Sequence, residues 1–256
     1  MKMLDGKVAV VLGASDHRSM GAATALMFLQ QGAKVVIAAR SVDRVADVAN
    51  ALGCAGIPCD ITSDADLQAL AQFAIDTYGA LDIAVNFAGV EAGGSVAELS
   101  RETLLASANV HFAGTAMFIR FMAEKMAPKG GSIITTSSQT AILAPKGMAA
   151  YAGAKAGADQ VVRIAANEYG KANIRVNAVA PGFTATAMTE GYLQVPTIEP
   201  AFLKELALPR LPSVDDIASA VTWLASDGCF ITGDVLDLSG GQTLNRLPTP
   251  EEMMGQ

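Results

Sequence analysis

The sequence predicts an α/β protein: one doubly wound parallel sheet of about seven strands, flanked by helices, in a single domain spanning residues 1–256. Short apolar runs alternate along the chain with longer helix-like stretches. Most of the runs are β-branched and continuous rather than alternating, which fits strands covered on both faces. A glycine-bearing loop also joins the first run to the first helix, and a repeating βα order folds with right-handed crossovers into a parallel sheet.

The strand candidates are residues 7–12, 34–39, 55–59, 81–86, 132–137, 174–179 and 235–238. The first helix is expected over 22–31. Three others announce their starts by a serine followed by acids: Ser41 with Asp43, Ser63 with Asp64 and Asp66, Ser213 with Asp215 and Asp216. The hydroxyl accepts a free amide at the helix start, and the carboxylates complement the dipole. Helices over 103–126 and 151–169 are apolar on more than one face, so each needs two partners. One is the sheet; the other is expected to be a second subunit. Residues 184–212 hold four prolines among scattered apolar side chains and read as a mobile lid over a site. Trp223 is expected to pack its helix against the sheet. The tail, 246–256, is polar and proline-broken, and is expected to be loosely attached.

Composition excludes several classes. Hydrophobic residues make up 51% and charged residues 17%, so the chain can bury enough apolar surface to offset chain entropy. The net charge of −7 and a pI near 4.8 argue against a nucleic-acid surface. Despite a mean hydropathy of +0.35, no uninterrupted apolar run reaches the ~18 residues that span a membrane. The first twelve residues are too short and polar for a signal peptide. Three cysteines, Cys54, Cys59 and Cys229, read as reduced, inert thiols of a cytoplasmic protein. With two histidines and no metal-ligand spacing, no metal site is expected.

Ligands of such a sheet bind beyond the carboxyl ends of its strands, so the residues after each strand carry the functional reading. After the first strand come Gly13, Ser15, Asp16, His17, Arg18, Ser19, Met20 and Gly21. A strand, glycine loop and helix bring backbone amides to a pyrophosphate, as in the Rossmann arrangement. Ser19 can cap the helix or meet a phosphate. Asp16 is expected to face outward, with His17 or Arg18 nearer the anion. After the second strand, Arg40 stands where an acid would grip a ribose hydroxyl, which favours a 2′-phosphate and hence NADP(H) over NAD(H). Asp60 and Ile61 follow the third strand. Asn86, Ala88 and Gly89 follow the fourth, small enough for a flat ring to approach.

Ser138 closes the fifth strand; Tyr151 and Lys155 follow, four apart on one helix face. A phenol is a poor base at neutral pH, and a neighbouring ammonium is expected to lower its pKa. Tyr151 could then exchange a proton with a substrate oxygen that Ser138 orients. His111 reads as a core helix residue.

These motifs resemble the short-chain dehydrogenase/reductase family, in its branch with a Y-x-x-x-K site, over residues 4–244. Asn86-Phe87-Ala88-Gly89 is similar to the family's N-N-A-G segment, and 181–186 to its P-G motif. The resemblance implies Tyr151 as acid/base, Lys155 as its partner and binder of the nicotinamide ribose, Ser138 on the substrate oxygen, and Asn109 holding a water. It further implies Pro181, Gly182, Phe183, Thr184 and Thr186 around the nicotinamide, hydride transfer between a secondary alcohol and a ketone, and a homotetramer. The lengthened loop, with Leu12 before it and Ser19 within it, is similar to that of enoyl reductases. Reduction of a carbon–carbon double bond is therefore the alternative, and a non-catalytic nucleotide sensor a third. Glu91, Gln139, Met188 and Tyr192 are expected to line the substrate site. The mostly apolar lining leans toward a cyclic or lipid-like ketone.

Overall fold

The computed structural model describes residues 2–91, 93–127 and 129–255; Gln256, at the end of the expected tail, lies outside them. Seven parallel strands form one sheet: β1 (Val8–Leu12), β2 (Lys34–Ala39), β3 (Ala55–Pro58), β4 (Ile83–Asn86), β5 (Gly131–Thr136), β6 (Ile174–Pro181) and β7 (Val235–Leu238). Their order is β3-β2-β1-β4-β5-β6-β7. The central strands β1 and β4 are buried along their whole length. At the edge, β3 alternates half-buried and exposed, because only one neighbour covers it.

Nine helices connect the strands and a tenth follows the last one: α1 (Met20–Gln30), α2 (Val42–Leu52), α3 (Asp64–Tyr78), α4 (Arg101–Ala108), α5 (Gly114–Met126), α6 (Ala149–Tyr169), α7 (Glu190–Leu193), α8 (Ile198–Leu203), α9 (Val214–Ala225) and, after β7, α10 (Pro250–Met253), among the described residues. The predicted serine caps are in place: Ser41, Ser63 and Ser213 accept from the amides of Arg44, Asp66 and Asp216. One apolar core joins α3, α5 and α6 to one sheet face. The other joins α1, α2 and α9 to the opposite face.

The sheet order reverses between β1 and β4, and the chain leaves the β3 edge to re-enter at β4. That reversal opens a cleft above their carboxyl ends.

Three expectations need correction. The helix foreseen over 103–126 is interrupted: α4 and α5 are separated by a π-helical turn, Asn109–Ala113. The tail is tied down rather than loose. Arg246 pairs with Glu205 and Glu252, Thr249 caps α10, and the Thr197 hydroxyl donates to the Met253 carbonyl at 2.6 Å. Trp223 does not pack against the sheet; it is 40% exposed, since Ile217, Val221 and Leu224 occupy the inner face of α9.

Candidate active site

The cleft is lined by Gly13, Ser15, Asp16, Ser19 and Met20 from the first loop, and by Ala39 and Arg40 after β2. Asp60, Ile61, Ala88, Gly89 and Val90 continue the wall, with Thr186 and Met188 opposite. Gly13 sits at φ +98, and a Cβ there would lie 2.6 Å from the Phe87 carbonyl carbon. On Gly21 a Cβ would lie 2.6 Å from the Gly13 oxygen. Both positions are thus reserved for backbone. Ser19 caps α1 by accepting from the Ala22 amide at 3.0 Å. The first-turn amides of Met20 and Gly21 have no intrahelical acceptor. A glycine cradle beside such amides fits a dinucleotide pyrophosphate.

Arg40 makes no side-chain hydrogen bond or ion pair among the described residues, and its charge helps hold the Asp60 carboxyl below its usual value. The Thr62 amide and hydroxyl, both donating to Asp60, contribute as well, the amide most. Asn86 is buried and shapes the turn: its Oδ1 accepts from the Ala88 amide at 2.9 Å. After β6, Gly182 packs on Ser239, where a Cβ would meet its Cα at 2.9 Å. Phe183 stacks on Phe202 of α8, with ring centroids 4.2 Å apart. Thr184 is buried, its hydroxyl donating to the Gly182 carbonyl.

The long loop departs from expectation. Asp16 lines the cleft instead of facing outward, because its Oδ1 accepts from the Arg18 amide at 2.8 Å and closes a local turn. That turn sends His17 to Asp47 of α2, at 2.8 Å. It sends Arg18 to both carboxylate oxygens of Glu190 on α7. Neither His17 nor Arg18 lines the cleft.

Beside the cleft, α6 carries Tyr151 and Lys155. The Ser138 hydroxyl accepts from the Thr140 amide and hydroxyl and is near enough to the Tyr151 phenol to favour its ionised form. Lys155 is buried and donates to the Thr136 carbonyl at the end of β5. Its ammonium lies 5.7 Å from the Tyr151 ring centroid. Burial pushes it down to about 8, against the pull of Asp159 one turn below. The Tyr151 phenol is raised, mainly by desolvation, with the Glu91 carboxylate adding to the rise. In the free site the rise from desolvation outweighs the expected lowering by Lys155, whose ammonium is engaged with the Thr136 carbonyl.

Asn109 does not join this group. Its side chain is exposed and makes no hydrogen bond among the described residues. Two positions on, His111 is 1% exposed and meets Tyr151 edge to face, ring centroids 4.9 Å apart. Spacing along the chain places both residues on this turn without setting their directions; the π turn decides which side chain faces inward, and no local motif announces it.

Of the expected substrate residues, Glu91 accepts from the Tyr192 hydroxyl at 3.3 Å across the mouth. Met188 is 54% exposed over the cleft. Gln139 is buried, with Oε1 unpartnered among the described residues. Burial pushes the thiols of Cys54 and Cys59 up to about 11 and about 12. No group of three or more metal-ligating side chains occurs among the described residues, and no described helix is long and apolar enough to cross a membrane.

A parallel sheet with a glycine cradle at its switch point, and a serine, tyrosine and lysine beside it, defines a dinucleotide-dependent oxidoreductase. A family model described as "Enoyl-(Acyl carrier protein) reductase" matches residues 13–243. The chain is 32% identical over 253 residues to the 3-oxoacyl-[acyl-carrier-protein] reductase FabG of Thermotoga maritima, covering 93% of this chain and 98% of that one. It is 34% identical over 251 residues to the 7alpha-hydroxysteroid dehydrogenase of Escherichia coli, covering 94% and 97%. A short-chain type dehydrogenase/reductase from Mycobacterium ulcerans superposes with a TM-score of 0.93 at 26% identity, covering 98% and 94%. The chain belongs to the short-chain dehydrogenase/reductase superfamily and is an NAD(P)-dependent oxidoreductase.

Proposed function

We propose that the chain interconverts a secondary alcohol and a ketone, with Tyr151 as the proton-transferring group. The observation that carries this reading is the grouping of buried Ser138 and Lys155 with Tyr151 at the end of β5, the Lys155 ammonium lying on the Thr136 carbonyl and 5.7 Å from the Tyr151 ring centroid. In the reductive direction a protonated phenol is the form required: Tyr151 gives its proton to the carbonyl oxygen while Ser138 donates to the same oxygen. Lys155, one helical turn away, stabilises the negative charge left on the phenol oxygen. When bound, a dihydronicotinamide supplies the hydride. Its pyrophosphate would rest on Gly13, Ser15, Ser19 and Met20, and its remaining parts on Asp60, Ile61, Ala88, Gly89 and the segment 181–186. The names of the Thermotoga maritima and Escherichia coli relatives, a 3-oxoacyl reductase and a hydroxysteroid dehydrogenase, support chemistry at a C–O centre.

One observation favours a second reading. The matching family model is described as an enoyl reductase, and the lengthened first loop agrees with it. Lys155 four residues after Tyr151 weighs toward ketone reduction. Incubating the protein with NADPH and either a cyclic ketone or an enone, then identifying products by mass and NMR, separates the two. Alcohol from the ketone is expected; a saturated ketone as the sole product from the enone overturns the first reading.

NADP(H) is the favoured cofactor, because Arg40 lines the cleft after β2 and makes no side-chain hydrogen bond or ion pair among the described residues. Arg40→Ala is expected to weaken NADPH binding about tenfold or more, as for a lost charge-assisted phosphate contact, and to leave NADH binding unchanged. Fluorescence titration reads both constants, and equal weakening of the two overturns the assignment. The outer faces of α5 and α6, where Ala116, Ile119, Val161 and Ile164 line a groove together with Arg120 and Glu168, are proposed to build a homotetramer. Sedimentation velocity reads its mass. The segment 184–212 is proposed as the substrate lid, held by the Arg18–Glu190 pair at one end and by the Phe183–Phe202 stack at the other.

A further inference from the structure

His111 is buried at the centre of the π turn, yet the roles assigned above leave it unused. An apolar residue would fill this space without desolvating two ring nitrogens. Nε2 lies 2.8 Å from the Val90 carbonyl oxygen. Since a carbonyl only accepts, and the Val90 amide lies farther from Nε2, at 3.4 Å, the shorter contact assigns the proton to Nε2 and leaves Nδ1 bare. Nδ1 is buried and has no partner among the described residues. Burial, and the Lys155 charge after it, push the ring down to about 4, which favours its neutral form at neutral pH. The ring thus has one firm anchor, on the β4–α4 loop, and one aromatic neighbour, Tyr151, met at an interplanar angle of 82°. The loop makes room for it: a Cβ on Gly89 would lie 3.1 Å from the His111 Cε1.

We propose that His111 is a positioning residue for Tyr151: a neutral imidazole strut, pinned to the Val90 carbonyl, whose edge-to-face contact fixes the rotation of the phenol ring and so the direction of its hydroxyl. This rests on the reading of Tyr151 as the proton-transferring group. The π turn is part of the device. Without it, α4 would run on into α5 as a regular helix, and the side chains of 109–113 would take other directions. The strut joins the loop that carries Glu91 to the helix that carries Tyr151, so the two walls of the site are held in one register.

Two variants separate the elements of the strut. His111→Phe keeps a ring against Tyr151 but removes the donor to Val90. His111→Gln keeps a side-chain donor but removes the ring. Each is expected to lower kcat about tenfold or more, the scale of a small misplacement of a reacting group. The KM for ketone and the affinity for NADPH should change little. In cofactor-free protein carrying ¹³Cζ-labelled tyrosine, the Tyr151 resonance should shift or broaden in both variants. Wild-type kcat in both overturns the proposal. So does a lowered kcat with an unchanged Tyr151 resonance and a melting temperature that falls in step, which marks packing alone. Tyr151→Phe is assayed alongside: if that variant turns over normally, the underlying reading fails, whatever the His111 variants do.

Discussion

Tyr151→Phe is expected to cut turnover by about 10² or more, the usual contribution of a placed acid–base group, while NADPH affinity stays near that of the native protein. The substitution removes one oxygen from a ring packed against His111, and leaves Lys155 on the Thr136 carbonyl. The fold should therefore survive, and loss of rate reports loss of the proton. Stopped-flow measurement of NADPH oxidation gives the rate, and fluorescence titration gives the affinity. Near-normal turnover would end the mechanism.

The pH dependence of the native protein follows from the same geometry. Reduction needs a protonated phenol, and desolvation keeps it protonated above its ordinary value. It also needs the Lys155 charge, which burial has brought down to about 8. The ammonium is faced by Asp159, Tyr151 and His111, of which only Asp159 holds it charged. Reductive kcat should accordingly stay level through neutral pH and decline as pH rises through about 8. A rate still level well beyond that point would mean Lys155 is not required in its charged form.

Much of this was legible in the residues. Strands buried on both faces write continuous β-branched runs, and serine caps followed by acids write helix starts, because both depend on near neighbours. The reactive trio was legible for the same reason: Tyr151 and Lys155 share a helix face by spacing alone, and Ser138 ends a strand. What was not legible depends on direction. The loop from Gly13 to Gly21 contains His17 and Arg18, and their charge suggested an anion. Their partners Asp47 and Glu190 come from distant parts of the chain, and only the folded molecule brings them together. Likewise Asn109 and His111 are two residues apart, and whichever faces the site is set by the backbone hydrogen-bonding of the turn. The attachment of the tail was not legible because Glu205, which anchors Arg246, is 41 residues upstream.

Gly13→Ala should have the largest effect of any methyl added to this protein's cleft. Three costs fall on it together. Its φ of +98 is one that side chains rarely adopt, worth about 1–2 kcal/mol in the left-handed region. The new Cβ would lie 2.6 Å from the carbonyl carbon of Phe87 and 2.8 Å from the amide nitrogen of Ala88. Both are backbone atoms at the end of β4, and neither can rotate aside. Nor can the loop retreat, since the Gly13 amide donates to the Ala38 carbonyl at 2.8 Å and ties the loop to β2. Relieving the collision means spreading the strand ends, at a further cost of about 1–3 kcal/mol. The wall being spread is the one that receives the dinucleotide, so NADPH affinity should fall along with the melting temperature. Gly53→Ala is the matched control: φ is +66 there, and nothing lies within 4 Å of a Cβ, so it bears the backbone strain alone. Calorimetry should rank Gly13→Ala well below Gly53→Ala, with NADPH binding impaired only in the former. Equal melting temperatures and unimpaired binding would mean that the close approach of Gly13 to β4 is not what shapes the cleft.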